Sequence, residues 1–307
     1  MPRVAPALES LTITPSNKSQ FGDPQNLSPQ EEEIIKLFIA AIEVLPLQKL
    51  NIIYADIASQ SWPQIFAALS TKDLHELSFK GSGINGALLK TFTEFLPEFR
   101  VLTSLDLEQN YLDADECEIL CDALGRKTAP LLSRLKLSFN SLHNEGAAAL
   151  ASLMNKSRSL SHIEIFSCGI GNDGAIAIAR ALPHSHLLSL NLGDNFLGNI
   201  AISEFGTILQ DKRTTLRELD LAMRSATYDE IDQAIGHNEA DPLMFDHELI
   251  EDETALQLAA ALEGSRLKKL VLQDPKNPIL YHLQSDKVLR AFATAVLSIK
   301  NAAKIWS

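Results

Sequence analysis

Ten carboxylates stand between Tyr228 and Glu253 with no lysine or arginine among them: Asp229, Glu230, Asp232, Glu239, Asp241, Asp246, Glu248, Glu251, Asp252 and Glu253. Carboxylates at that density, with two histidines, are the residue types that hold a divalent ion. Asp229, Asp232, His237, Asp246 and His247 nonetheless follow no ligand spacing of a metal loop, so no metal is expected. The same segment carries Pro242-Leu243-Met244-Phe245, an apolar cluster between charges. One reading is a solvated acidic loop; the other is a loop that meets a basic partner protein through Met244 and Phe245. The three cysteines are an odd number without a CxxC pair, and Cys117 and Cys121, four apart, read as small hydrophobes on a helix. His184 and His186 fall in a turn. The chain contains no GxSxG, no GxxxxGK[ST] and no HExxH, so neither a catalytic residue nor a cofactor is expected.

Net charge is −12 and the acidic segment accounts for most of it. An acidic chain without a basic stripe excludes nucleic acid and anionic membranes as expected partners. No run of 18 apolar residues occurs, so no membrane insertion is expected. The start lacks an apolar signal-peptide core, and the cysteine usage suits a reducing compartment.

The elements come next. Residues 1–27, rich in Pro, Ser, Asn and Gln, read as a disordered leader outside the core. Ser28-Pro29-Gln30-Glu31 opens a helix as a capping box with proline in the first turn. Ile34, Ile35, Phe38, Ile39, Ile42 and Leu45 on one face make residues 28–46 an N-terminal capping helix. After it, Leu47, Leu74, Leu102, Leu132, Leu160, Leu187, Leu216 and Leu267 each open a similar unit, at intervals of 27 to 30 residues and one of 51. The fourth unit reads Leu132, Leu135, Leu137, Asn140, Leu142, the pattern LxxLxLxxNxL, followed by a helix with Gly146-Ala147-Ala148-Ala149-Leu150. The sixth repeats it with Leu187, Leu190, Leu192, Asn195 and Leu197. The alternating leucines predict a short strand with one buried face. A single unit of this size cannot bury that face alone, so recurrence is what fixes the architecture.

In these residues the chain resembles the leucine-rich repeat family of the long ribonuclease-inhibitor type, over roughly residues 47 to 275. The resemblance implies an α/β, right-handed solenoid of about eight repeats, with a parallel β-sheet on the concave side and α-helices on the convex side. It implies that each ninth-position Asn or Cys turns inward to satisfy the backbone. Ala55, Ser82 and Arg224 depart from that pattern. The long interval marks an acidic insertion near 225–250, and residues 276–307 read as a C-terminal cap.

Side chains flanking the central leucines face out of such a sheet. They include an acidic middle of Asp106, Glu108, Glu164 and Asp220. Tyr111, Phe139, Phe166 and Phe196 fall in four successive units near the strand ends, either as interface anchors or as rings packed on their own repeats. The resulting expectation is a monomeric, non-catalytic module binding a partner protein, with a basic surface, through the concave sheet and this aromatic edge. The family resemblance adds a rival, a GTPase-activating protein of the Ran type with Arg224 or Asn110 on its rim. The chain also resembles leucine-rich repeat effectors that intracellular bacteria deliver into host cytoplasm, which places it there or in the cytoplasm generally.

Overall fold

The computed structural model describes residues 8–14, 29–128, 131–223 and 251–273, with isolated helical positions 287, 290, 291 and 294. Among them nine strands form one sheet in sequence order: β1 Ser10–Ile13, β2 Lys49–Ile52, β3 Glu76–Ser78, β4 Ser104–Asp106, β5 Arg134–Lys136, β6 His162–Glu164, β7 Ser189–Asn191, β8 Glu218–Met223 and β9 Lys269–Gln273. Every adjacent pair is parallel. The register sets Leu77 beside Leu105, Leu105 beside Leu135, Leu135 beside Ile163 and Ile163 beside Leu190. The fourth-position residues therefore stack as one buried column across the sheet.

Helices alternate with the strands. They are α1 Pro29–Val44, α2 Trp62–Ser70, α3 Gly86–Phe95, α4 Ala114–Ala123, α5 His143–Lys156, α6 Asn172–Ala181, α7 Asn199–Leu209 and α8 Asp252–Gly264. They pack in one layer against the sheet's inner face, and the buried residues form one continuous core. Small residues set the spacing of that layer. A Cβ on Gly174 of α6 would lie 2.9 Å from the Ala147 Cβ and from the Asn144 Cα of α5, so a larger side chain would push the helices apart. In the first two units the core is aromatic instead. Trp62, Phe66, Phe79, Phe92 and Phe99 contact one another at centroid distances of 5.2–6.1 Å. The leucine pattern gave no hint of this cluster.

Asparagines close the strand ends. Asn140 Oδ1 accepts from Asn110 N and Leu112 N, and its Nδ2 donates to the Leu107 and Leu137 carbonyls, all at 2.7–3.0 Å. Asn110 and Asn195 repeat the arrangement. Of the departures, Ser82 fits as a smaller partner, its Oγ donating to the Ile52 carbonyl at 3.0 Å; Cys168, within the pattern, donates from Sγ to the Leu137 carbonyl at 3.3 Å. Arg224 lies outside the described residues. A second ladder, absent from the sequence reading, runs along the helix starts. Asn144 Oδ1 accepts from Gly171 N and Gly174 N, Asn172 Oδ1 from Gly198 N, and Asn199 Oδ1 from Glu251 N. Through that last bond the chain beyond the insertion returns to the repeat register.

Two expectations are corrected. Ser10–Ile13, placed in a disordered leader, form β1 in register with Lys49–Ile52. The short apolar alternation of Leu11 and Ile13 is enough for a strand once β2 supplies an edge. Ile34, placed on the buried face of α1, is 62% exposed; Ile42 is fully buried and Ile35, Phe38, Ile39 and Leu45 partly so. The acidic segment 225–250 and nearly all of 276–307 lie outside the described residues.

Candidate functional site

The residue just before each ladder position adopts a left-handed backbone in six successive units: Tyr54 (φ 53°), Gly81 (64°), Gln109 (56°), Phe139 (60°), Ser167 (53°) and Asp194 (57°). The chain must swing out of the strand there so that the next side chain can turn inward. Glycine meets that demand without strain, and asparagine or aspartate nearly so. An aromatic does not, yet Tyr54 and Phe139 hold two of the six places, and Tyr111, two residues further on in its own unit than Phe139 is in its, has φ 61° as well.

These rings are open to solvent. Tyr111 is 81% exposed, Tyr54 51% and Phe139 46%. Tyr54 crosses over Gly81, where a Cβ would collide with its ring, and its hydroxyl donates to Gln109 Oε1 two units away. Phe139 leans on Phe166 with centroids 5.3 Å apart and planes at 58°. Phe166 in turn covers Gly193 and is half-buried, as is Phe196. Tyr111 and Phe139 stand open, while Phe166 and Phe196 are half withdrawn. Tyr54 belongs with the open set and was missed. Its position in the motif, the same as that of Phe139, was the available signal.

The acidic middle of the sheet takes a different form from the one expected. Glu108, expected to be an exposed docking acid, is buried and its Oε2 lies 2.8 Å from Lys80 Nζ. Glu164 pairs with Lys136 at 3.1 Å, and Glu76 with Lys49 at 2.7 Å. Asp106 accepts from Ser78 Oγ at 2.9 Å and Glu108 N at 3.0 Å, and burial pushes its carboxyl above the ordinary range. The hydrogen bond that Lys80 Nζ donates to Glu108, with the negative charge of that carboxylate, holds the Lys80 ammonium more firmly protonated than usual. Asp220 accepts from Ala222 N at 2.9 Å. For Glu108 and Glu164 the cause is cross-strand pairing: Lys80 and Lys136 stand one unit away, so these two carboxylates are neutralised within the sheet, while Asp106 and Asp220 are held by hydrogen bonds.

The rim carries acid as well. From the left-handed residue to the first helical turn, units one to six hold Asp56, Asp113, Asp115, Glu116, Glu145, Asp173 and Asp194, with no lysine or arginine. Helix N-termini favour carboxylates there, and Asp113 caps α4 by accepting from Glu116 N. The open rings of Tyr54, Tyr111 and Phe139 are set among these acids. Met244 and Phe245 lie outside the described residues. Among the described residues no cluster of three metal-ligating side chains occurs, and no helix is long and apolar enough to cross a membrane.

Comparison with known proteins agrees with this geometry. The family pattern described as Leucine Rich repeat matches residues 128–151 and 156–179. The chain is 31% identical over 202 residues to NACHT, LRR and PYD domains-containing protein 14 of Mus musculus, covering 62% of this chain and 20% of that protein. It is 29% identical over 214 residues to ribonuclease inhibitor of Sus scrofa, covering 67% of this chain and 46% of that protein. The chain thus spans less than half the length of these curated relatives. A tropomodulin C-terminal domain from Caenorhabditis elegans overlaps 70% of this chain and 97% of its own at 10% identity and a TM-score of 0.35, a likeness too loose to add to the repeat geometry. The chain is a leucine-rich repeat protein, related to ribonuclease inhibitor and to the repeat regions of the NACHT, LRR and PYD proteins.

Proposed function

We propose that this chain is a non-catalytic module that binds a protein partner through the strand-end rim, with Tyr54, Tyr111 and Phe139 as anchors. The observation that carries the reading is that bulky aromatics occupy left-handed backbone positions and still expose about half or more of their surface. Holding them there opposes folding by ~1–2 kcal/mol per residue. Strain of this kind at rings left about half exposed or more suits groups retained for contact with another molecule. The rim acids favour a partner with lysines or arginines at its contact surface, whose cations can also stack on the rings. Kinship with a protein named an inhibitor of ribonuclease supports binding over turnover.

The rival GTPase-activating reading fares worse on one residue. Asn110 is fully buried and spends its side chain on four ladder bonds, so it has nothing left to position a water. Action in a host cytoplasm remains part of the proposal on the repeat resemblance alone, and export of a translocation-reporter fusion tests it. For binding, capture from a eukaryotic lysate should recover a discrete protein with the wild type and with Ile200→Ala, an exposed apolar control on α7. The Tyr111→Ala/Phe139→Ala variant should lose it. Recovery of the same protein by all three chains would sink the reading.

A further inference from the structure

The net charge conceals an edge of the opposite sign. Where each helix hands the chain to the next strand, the later units carry exposed cations: Arg126 after α4 and Arg134 opening β5, Arg158 after α5, Lys212 and Arg217 between α7 and β8, and Lys268 before β9. None of the six pairs with a carboxylate among the described residues. The link between α6 and β7 adds the exposed His184 and His186. Fewer acids stand there: Asp211 is spent on Arg213, leaving Asp122, Glu218 and Glu263 exposed. In the first units the cations of the same edge are spent, Lys72 on the Glu43 carbonyl and Arg100 on Glu98. Like charges are even set side by side. Lys268 N donates to the Arg217 carbonyl, which puts these two residues in neighbouring rows of the sheet, about 4.8 Å apart. Neighbouring like charges are destabilising, and an anion laid against the edge relieves them.

We propose that this strand-start edge docks on an anionic lipid surface. Strands β4 to β9 begin in register, with Ser104, Arg134, His162, Ser189, Glu218 and Lys269 side by side. The links before them therefore end at one level, and a flat edge sets many cations on a plane of headgroups at once. Leu131, 50% exposed between Arg126 and Arg134 in the chain, supplies an apolar group to enter the headgroup boundary. Nucleic acid fits less well, because no exposed aromatic lies on this edge among the described residues to stack a base. The charge of −12 does not forbid the contact. Helices α4 to α8, of 10 to 14 residues, hold the acidic strand-end rim about 15–20 Å away, roughly two Debye lengths at physiological salt. β8 ends at Met223 and α8 begins at Asp252 on that far rim, so the acidic segment leaves and rejoins the described chain there. The exclusion of anionic membranes read from the sequence is thereby replaced. The cations stand about a repeat apart along the chain, and only stacking gathers them into a stripe.

Co-sedimentation of the full chain with vesicles tests the docking. Phosphatidylcholine vesicles containing about one-third phosphatidylserine should bind it, pure phosphatidylcholine vesicles should not, and added salt should release it. Each cation beside an anionic surface is worth about fivefold in partitioning. Arg158→Gln/Lys212→Gln/Arg217→Gln should therefore bind about 100-fold more weakly, with an unchanged melting curve because all three side chains are exposed. Leu131→Ser should weaken binding severalfold, a response that contact with phosphates alone does not give. Tyr111→Ala/Phe139→Ala should bind vesicles as the wild type does, which separates this edge from the rim proposed to meet a protein. Failure of the full chain to bind the anionic vesicles overturns the proposal. So does binding that survives the triple variant, undiminished binding by Leu131→Ser, or equal binding to pure phosphatidylcholine. Tighter binding to duplex DNA or to polyglutamate than to the vesicles at the same salt overturns it as well.

Discussion

Phe139 shows how opposed terms of similar size meet at one residue. Its left-handed backbone opposes folding by ~1–2 kcal/mol, and its ring contact with Phe166 returns ~0.5–1.5 kcal/mol. Asn tolerates the left-handed conformation, so Phe139→Asn should leave the denaturant midpoint within about 1 kcal/mol of wild type while abolishing partner capture. A large loss of stability would mean that the ring is a structural pillar and not an anchor. Asp106 offers a test with a sign. Burial raises its folded carboxyl pKa above the unfolded value, so the folded state holds the proton more tightly. Stability from this group therefore falls as pH rises from the unfolded pKa through the folded one, and the ionised form is a liability at neutral pH. Asparagine keeps an acceptor for Glu108 N and offers a donor to Ser78 Oγ. Asp106→Asn should melt above wild type at pH 7 and converge with it as pH falls below the carboxylate range. A parallel offset at all pH values would remove burial as the cause.

At the scale of the element, the helix layer depends on what its residues lack. Gly174 leaves no room between α5 and α6, with Asn144 and Ala147 within 3 Å of any added Cβ, and Asn144 also bonds Gly171 N and Gly174 N. Gly174→Leu should cost about 1–3 kcal/mol through overpacking, and Ala147→Gly on the facing helix should recover part of it. No recovery would place the strain elsewhere than that contact. Much of this layer was readable from the chain, because leucine spacing reports which face a strand buries and glycine-alanine runs report which helix lies close. The Asn144, Asn172, Asn199 ladder was equally present in the sequence but unread, since a polar residue at a helix start suits several roles until its acceptor geometry is known. The ion pairs of Lys80 with Glu108 and Lys136 with Glu164 stayed hidden for another reason. Scanning one motif position down the stack lists charges, but their neutralisation depends on which side chains the register sets together. The left-handed row, and Tyr54 in it, needed backbone angles that leucine spacing does not encode.

On the scale of the whole molecule the stack is one-dimensional, so damage should spread only to neighbours. The three thiols report on this. Cys168 Sγ donates to the Leu137 carbonyl, and Cys117 Sγ reaches the Gly146 carbonyl at 3.6 Å, so both touch the fourth unit from either side. All three are buried, and burial pushes Cys168 up to about 12, which leaves almost no thiolate at neutral pH. Cys121 is raised too, by its contact with Cys117 and by burial. Alkylation in the native protein must therefore wait for local opening. Leu137 is fully buried in the fourth unit, and its replacement by alanine costs about 2–5 kcal/mol. Every 1.4 kcal/mol is about tenfold in an equilibrium, so Leu137→Ala should speed labelling of Cys117 and Cys168 by at least about 30-fold. Amide exchange at Phe66, in the aromatic core of the first unit, should hardly change. Equal acceleration at Phe66 and at the two thiols would show a single cooperative block, and the repeats would then share their stability across the whole sheet and not from neighbour to neighbour.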